Sequence, residues 1–236
     1  MARTKAPNSI QEAVYDELKR GIMTLRLKPG SSMSTQEMAD RLNVSRTPVR
    51  EAFLRLQREG LVESMPQRGT FVSLIDVKRM EQELFLRQSL EYSVLRPFVA
   101  RATIRDFQRM RELNALQRQH YENGDWSQVI TVDHEFHGIM FNVARQQLAL
   151  EIILSNNGHY DRTRTLSVQV NDFRNDLYAQ HDDLVSQLEK GNVEAAQEII
   201  YEHISGKSFD EISVGRVFPN YFAEGREKPA IRVRPL

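Results

Sequence analysis

Cysteine is absent from the 236 residues, which excludes disulfides, thiolate zinc fingers and cysteine nucleophiles and leaves nothing that calls for an oxidising compartment. Long apolar runs are absent too. None approaches the ~18 residues that a membrane helix needs, and residues 1–9 carry Arg3 and Lys5 without the apolar stretch of a secretory signal. A cytoplasmic protein with no membrane partner is therefore expected. Proline and glycine are sparse, at 8 and 11, while apolar residues make up 40% and charged residues 27%. That is the composition of a folded, helix-rich chain long enough for two cores. Net charge is also lacking, with 32 basic residues against 32 acidic, but the zero conceals a division. Residues 1–74 hold 12 Lys and Arg against 8 Asp and Glu, leaving 20 against 24 for the remainder. The first third is the basic end, and it is where a polyanionic partner is to be sought.

In that basic third, Ile10, Val14, Leu18, Ile22 and Leu25 follow helical spacing up to the Pro29-Gly30 turn. Ser34 with Glu37 three residues on has the form of a capping box for a short second helix that ends at Asn43-Val44. Ser45 can cap a third, in which Val49, Ala52, Phe53 and Leu56 form one stripe and Gly60 marks the end. Burying that stripe leaves Arg46, Thr47 and Arg50 at the exposed N-terminal end. Arginine there can bond guanine O6 and N7 with both arms of its fork, while the helix N-terminus and the Ser45 and Thr47 hydroxyls can take phosphate. Two short strands follow, 61–64 and 70–73, around a turn with a basic tip.

Helix, helix-turn-helix and hairpin in this order predict a winged helix that binds DNA, and the stretch VSRTPVREAFLRLQREGLVESMPQRGTFV closely resembles the DNA-binding domain of the GntR family over residues 9–73. The resemblance implies base reading by Arg46 and Arg50, supporting contacts from Gln36, Ser45 and Thr47, and a wing tip at Arg68 and Gly69 that touches the minor groove or the backbone. Gln36 stands where some relatives carry arginine.

From Asp76 the pattern predicts six helical segments and no strand, at 77–102, 104–122, 126–144, 147–167, 173–190 and 193–207, separated by turns such as Asn123-Gly124-Asp125 and Gly191-Asn192. The fold class is mainly α: an N-terminal winged helix-turn-helix in residues 1–75, an antiparallel all-α bundle in 76–208, and a tail from 209 to 236 read as irregular, with Phe218, Tyr221 and Phe222 available to pack on the bundle. Three apolar stripes of the bundle carry polar residues: Asp133 and His137 in the third segment, His181 in the fifth and His203 in the sixth. One carboxylate and three imidazoles are costly to bury, and a divalent cation satisfies all four. Asp133 and His137 stand at i, i+4 for a common ion. His120, His134 and His159 do not fall on the pattern.

The same arrangement resembles the FadR C-terminal domain family (FCD) in its metal-binding form, where an Asp-x-x-x-His pair and two later histidines hold the ion. Zinc suits this donor set first, with nickel, manganese or iron as alternatives. A coordination position left to water can take the carboxylate of a small organic or sugar acid, the expected effector. The family often places an arginine in the first bundle helix, which corresponds to Arg87, and Arg162 or Arg164 can serve from the fourth segment. The alternative for Arg87 is an ion pair with Glu91 at i+4.

The expected function is a homodimeric transcriptional regulator that binds an inverted-repeat operator, since one recognition helix reads too few base pairs alone. The family resemblance implies that the small acid bound beside the metal changes operator affinity. The other reading is a metal-dependent hydrolase or lyase with an accessory DNA-binding module. It lacks a placed general base, because Glu135 lies about 200° around its helix from Asp133.

Overall fold

Ser9 opens the first helix by accepting a hydrogen bond from the Glu12 amide, and α1 runs over Ile10–Met23. In this computed structural model residues 9–170, 174–204 and 211–223 are described. Helix α1 ends two residues earlier than its apolar spacing suggests, because Leu25 takes a left-handed backbone (φ 61°) on the way to Pro29. Ser34 caps α2, Thr35–Leu42, and Asn43 stops it in the left-handed conformation that asparagine tolerates. Helix α3 follows at once, over Arg46–Arg58. Pro48 sits in its first turn, where an absent N–H removes no helix bond.

The wing is β1, Val62–Met65, paired antiparallel with β2, Gly69–Val72. Its turn places Gln67 and Gly69 at positive φ. A third extended segment, unforeseen in the sequence, lies beside the hairpin: Met33 donates to the Thr70 carbonyl, Val72 to Ser31 and Gly30 to Val72. Val14, Leu18, Ile22, Met38, Val49, Leu56, Leu61 and Val72 close one core beneath these elements.

The second unit is a helical bundle of α4 (Val77–Val99), α5 (Ile104–Glu122), α6 (Trp126–Val143), α7 (Gln147–Ser155), α8 (Gly158–Val170), α9 (Arg174–Glu189) and α10 (Val193–Ile204). Its core gathers Leu95, Phe98, Met110, Phe136, Met140, Val185, Ala196 and Ile200 from five of them. The single helix expected over 147–167 is two, broken at Asn156-Asn157. Asn156 is not helical (φ −128°), and the Glu83 carboxylate of α4 accepts the His159 and Tyr160 amides at 2.8 and 2.9 Å, capping the new start. The expected start of the fifth segment at Phe173 and the end of the sixth beyond Ile204 lie outside the described residues.

The tail is less irregular than expected. Helix α11, Glu211–Val217, and a 3-10 turn at Pro219–Tyr221 bring Val214, Phe218, Tyr221 and Phe222 against Ile75 and Leu166. Ile75, in the linker between the two units, donates to the Tyr221 carbonyl at 2.8 Å and accepts from Ala223 at 2.9 Å. The linker is thus held as a short parallel bridge to the tail.

Candidate DNA interface and metal centre

Burial of Val49, Ala52, Phe53 and Leu56 fixes the rotation of α3 and leaves Ser45, Arg46, Thr47 and Arg50 exposed at its start. Ser45 stands at the N-cap without a side-chain capping bond, so its hydroxyl remains available to an external acceptor beside the unpaired amides of the first turn. Neither Arg46, Arg50 nor Arg68 has an ion-pair partner among the described residues. Gln36 is exposed on α2 and donates to Asp40 at 2.6 Å. Arg68 and Gly69 are exposed at the tip of the wing. All seven residues assigned to DNA by resemblance lie on this exposed surface of the N-terminal unit.

In the bundle, Asp133 and His137 from α6, His181 from α9 and His203 from α10 are all buried, and each brings one ligand atom within 4.8 Å of the other three. The His181 and His203 Nε2 atoms face each other at 3.2 Å, while Asp133 Oδ1 lies 3.8 Å from both His137 Nε2 and His181 Nε2. These separations are near the edge of about 3.3 Å that a tetrahedron of ~2.0–2.1 Å bonds requires.

The outer contacts decide which nitrogens face inward. His181 Nδ1 meets Asn114 Oδ1 at 3.2 Å, and Asn114 is held by donating its Nδ2 to the Tyr178 carbonyl and to Asp182. His203 Nδ1 meets Gln180 Oε1 at 3.0 Å. An amide oxygen only accepts, so both Nδ1 atoms carry the proton and both Nε2 atoms keep their lone pairs. Two lone pairs therefore point at each other across 3.2 Å, and His137 Nε2 is buried without a hydrogen-bond partner among the described residues. A divalent cation at the centre resolves both faults, so the residues present fit the ion.

Charge around the quartet points the same way. Burial drives the His181 imidazole down to about 3, reinforced by His137, and drives His203 well below its ordinary value, reinforced by His181 and His137. Both rings are neutral, as ligands must be. Burial pushes the Asp133 carboxyl up, but Arg164, His137, Arg87 and His181 together outweigh it and hold it well below the usual carboxylate range. Glu91 is likewise pushed up by burial and brought down to about 2 by Arg87 and His137.

Two of the three expected effector arginines border the centre. Arg164 Nη2 reaches Asp133 Oδ2 at 2.8 Å and Arg87 Nη2 reaches the same oxygen at 3.2 Å. Arg87 also makes the expected i, i+4 pair with Glu91, at 2.6 Å. Glu91 Oε2 in turn lies 2.5 Å from His137 Nδ1. Arg162 is not brought to the quartet. Two residues before Arg164 on one helix, it points about 200° away and bonds the Ser73 carbonyl at 2.7 Å and hydroxyl at 3.2 Å. Sequence reasoning missed Glu91, Asn114 and Gln180 as partners of the imidazoles. The i+4 spacing of Glu91 from Arg87 was a usable signal, whereas the Asn114 and Gln180 contacts cross between elements and leave none. Glu135, the weighed general base, is turned to Arg109, 3.8 Å away on α5.

Comparison with known proteins agrees with both units. The model of the bacterial regulatory proteins of the gntR family matches residues 10–72, and that of the FCD domain matches residues 83–206. The chain is 29% identical over 215 residues to the HTH-type transcriptional repressor RspR of Escherichia coli K12, covering 91% of this chain and 94% of that one. It is 30% identical over 224 residues to an HTH-type transcriptional regulator in an unstable DNA locus of Streptomyces ambofaciens, covering 94% and 93%. Among solved structures, E. coli McbR/YncC superposes with a TM-score of 0.74 over 90% of this chain and 99% of that one, at 22% identity, which speaks for the fold.

Proposed function

The chain belongs to the GntR family of bacterial regulatory proteins, in the FadR-like branch that carries an FCD domain, and from that premise we propose that it binds an inverted-repeat operator as a homodimer whose affinity is set by a small carboxylic or sugar acid beside a zinc ion. It is a DNA-binding transcriptional regulator and not an enzyme. The observation that carries the finer reading is the pair of facing His181 and His203 Nε2 atoms, at 3.2 Å, in a buried quartet bordered by two arginines. Neutral imidazoles and one carboxylate suit zinc, with nickel, manganese or iron as occupants where they are more abundant. When bound, the ion offers a Lewis-acidic position for one carboxylate oxygen. Arg87 and Arg164 supply the cations that recognise the rest of such an anion, and each already donates one Nη2 to Asp133 Oδ2.

Arg46 and Arg50 are proposed to read bases in the major groove, with Ser45, Thr47 and Gln36 on adjacent phosphates and bases, and Arg68 and Gly69 at the minor groove or backbone. The proposed homodimer goes with the proposed operator, since two recognition helices one helical turn apart are what an inverted repeat demands.

The reading is tested by titrating zinc-loaded protein, bound to a DNA fragment from its own promoter region, with a set of small carboxylic and sugar acids. At least one acid should change DNA affinity by about 5- to 150-fold, the usual span of coupling between two sites. Unchanged affinity with every acid, in protein shown to hold zinc, would refute control by an effector.

A further inference from the structure

Helix α8 has two working faces. On one, Gly158, Arg162 and Leu166 stand at i, i+4 and i+8 and meet the N-terminal unit and the linker in succession. A Cβ on Gly158 would lie 2.6 Å from Leu61 Cδ2, so α8 starts packed closely against Leu61, just past the end of α3. Arg162 is fully buried and bonds Ser73 twice, along with the Gly158 carbonyl at 2.9 Å. Leu166 packs on Ile75. His159, next to Gly158, accepts the Asp76 amide on Nδ1 at 3.0 Å. The other face carries Asp161 and Arg164, at i and i+3. Arg164 lies 3.5 Å from Asp161 and 2.8 Å from Asp133, and Asp161 lies 2.9 Å from His134. One rigid helix therefore touches a quartet residue with one arginine and the linker with the next but one.

Asp133 divides its oxygens between the two roles. Oδ1 faces His137 and His181, and Oδ2 takes Arg164 and Arg87. A change of charge density on Oδ1 alters what Oδ2 offers to Arg164, and hence the seat of α8. Arg162 is a sensitive reporter of that seat. It is fully buried, and its two Nη atoms donate to the Ser73 carbonyl at 2.7 Å and hydroxyl at 3.2 Å, so a shift of α8 strains or breaks these bonds to the linker.

We propose that α8 is the element through which the metal quartet sets the linker, with Arg162 as the positioning residue that grips Ser73. The proposal rests on the metal reading above and adds a route by which the N-terminal unit learns of occupancy. Regulation then works by moving one latch at residues 73–76 rather than by loosening the whole bundle. The coupling is physical contact along a single helix, not mere proximity.

Hydrogen exchange on the full chain with and without zinc alone tests it, because the Ile75 and Asp76 amides are both bonded in this structure and report on the latch. In the wild type, zinc should slow exchange at residues 74–77 by about tenfold, within the usual coupling range, as well as in α6, α9 and α10. In Arg162→Gln, zinc should still bind by calorimetry and protect α6, α9 and α10, while the linker no longer responds. Arg162→Lys, which keeps the charge and most of the volume, guards against misfolding and should retain only part of the response. A linker that answers zinc in Arg162→Gln as in the wild type overturns the proposal. So does a wild-type linker indifferent to zinc while α6, α9 and α10 are protected. Absence of binding heat and of protection in those three helices brings down the metal reading itself, and the proposal with it.

Discussion

His181 and His203, 22 residues apart and on different helices, present their Nε2 lone pairs to each other at 3.2 Å because Asn114 and Gln180 take up their Nδ1 protons. Each ring is thereby already in the tautomer and orientation that a metal ligand needs.

Removing that preset should weaken the ion without destroying the site. Asn114→Ala frees the His181 ring and is expected to lower zinc affinity by about 10- to 100-fold, the usual cost of losing an outer-shell partner. His181→Ala should abolish tight binding. Competition against a calibrated chelator measures both, and equal affinity in Asn114→Ala and the wild type would contradict the assignment.

Zinc should also stabilise the fold by mass action. At free zinc 100-fold above its dissociation constant the gain is about 2.7 kcal/mol, visible as a rise in Tm that chelator reverses and that Asp133→Asn with His137→Ala abolishes.

In chelator-treated protein, stability should fall with acid in two stages. The folded pKa values of His181, about 3, and of His203 are below the ordinary value. From about pH 6.5 downward the unfolded chain therefore takes up protons that the folded one refuses, at ~1.4 kcal/mol per pH unit for each such imidazole. Below about pH 4 the depressed Asp133 and Glu91 carboxyls add to the loss as their paired, charged forms are protonated. Denaturant midpoints at pH 7.5, 6 and 5 check the first stage, which should be smaller with zinc bound. A midpoint that rises on acidification would oppose it.

On the DNA side, Arg46→Ala and Arg50→Ala should each lower affinity for the cognate site by about 5- to 150-fold and relax selectivity at one base pair, while Arg68→Ala weakens all sequences alike and reduces the salt dependence by about one counterion. Titrations at two salt concentrations against cognate and scrambled duplexes separate the cases. The arginines are exposed, so circular dichroism and Tm should not move.

The tail offers a structural prediction. Val214 is fully buried between Ile75 and Leu166, so Val214→Ala should destabilise by about 0.5–2 kcal/mol and speed proteolysis near residue 75 more than elsewhere.

Much of this was legible in local pattern. The stripe of Val49, Ala52, Phe53 and Leu56 sets the rotation of α3, and helical spacing alone puts Asp133 and His137 on one turn. The break between α7 and α8 was signalled by Asn156-Asn157-Gly158, but apolar residues at helical intervals on both sides concealed it. The rotation of Arg162 relative to Arg164 was readable, but which of the two faces met the quartet is set by long-range contacts, Arg164 with Asp133 and Arg162 with Ser73, that have no local signature. The third extended segment of the wing and the bridge from Ile75 to Phe222 are long-range pairings with no local signature.

The proposed ligands are three imidazoles and a carboxylate, in a chain with no thiol, so thiol oxidation and disulfide exchange have no donor there to act on. Diamide should therefore leave zinc in the proposed site, and its occupancy should not follow the thiol balance of its surroundings.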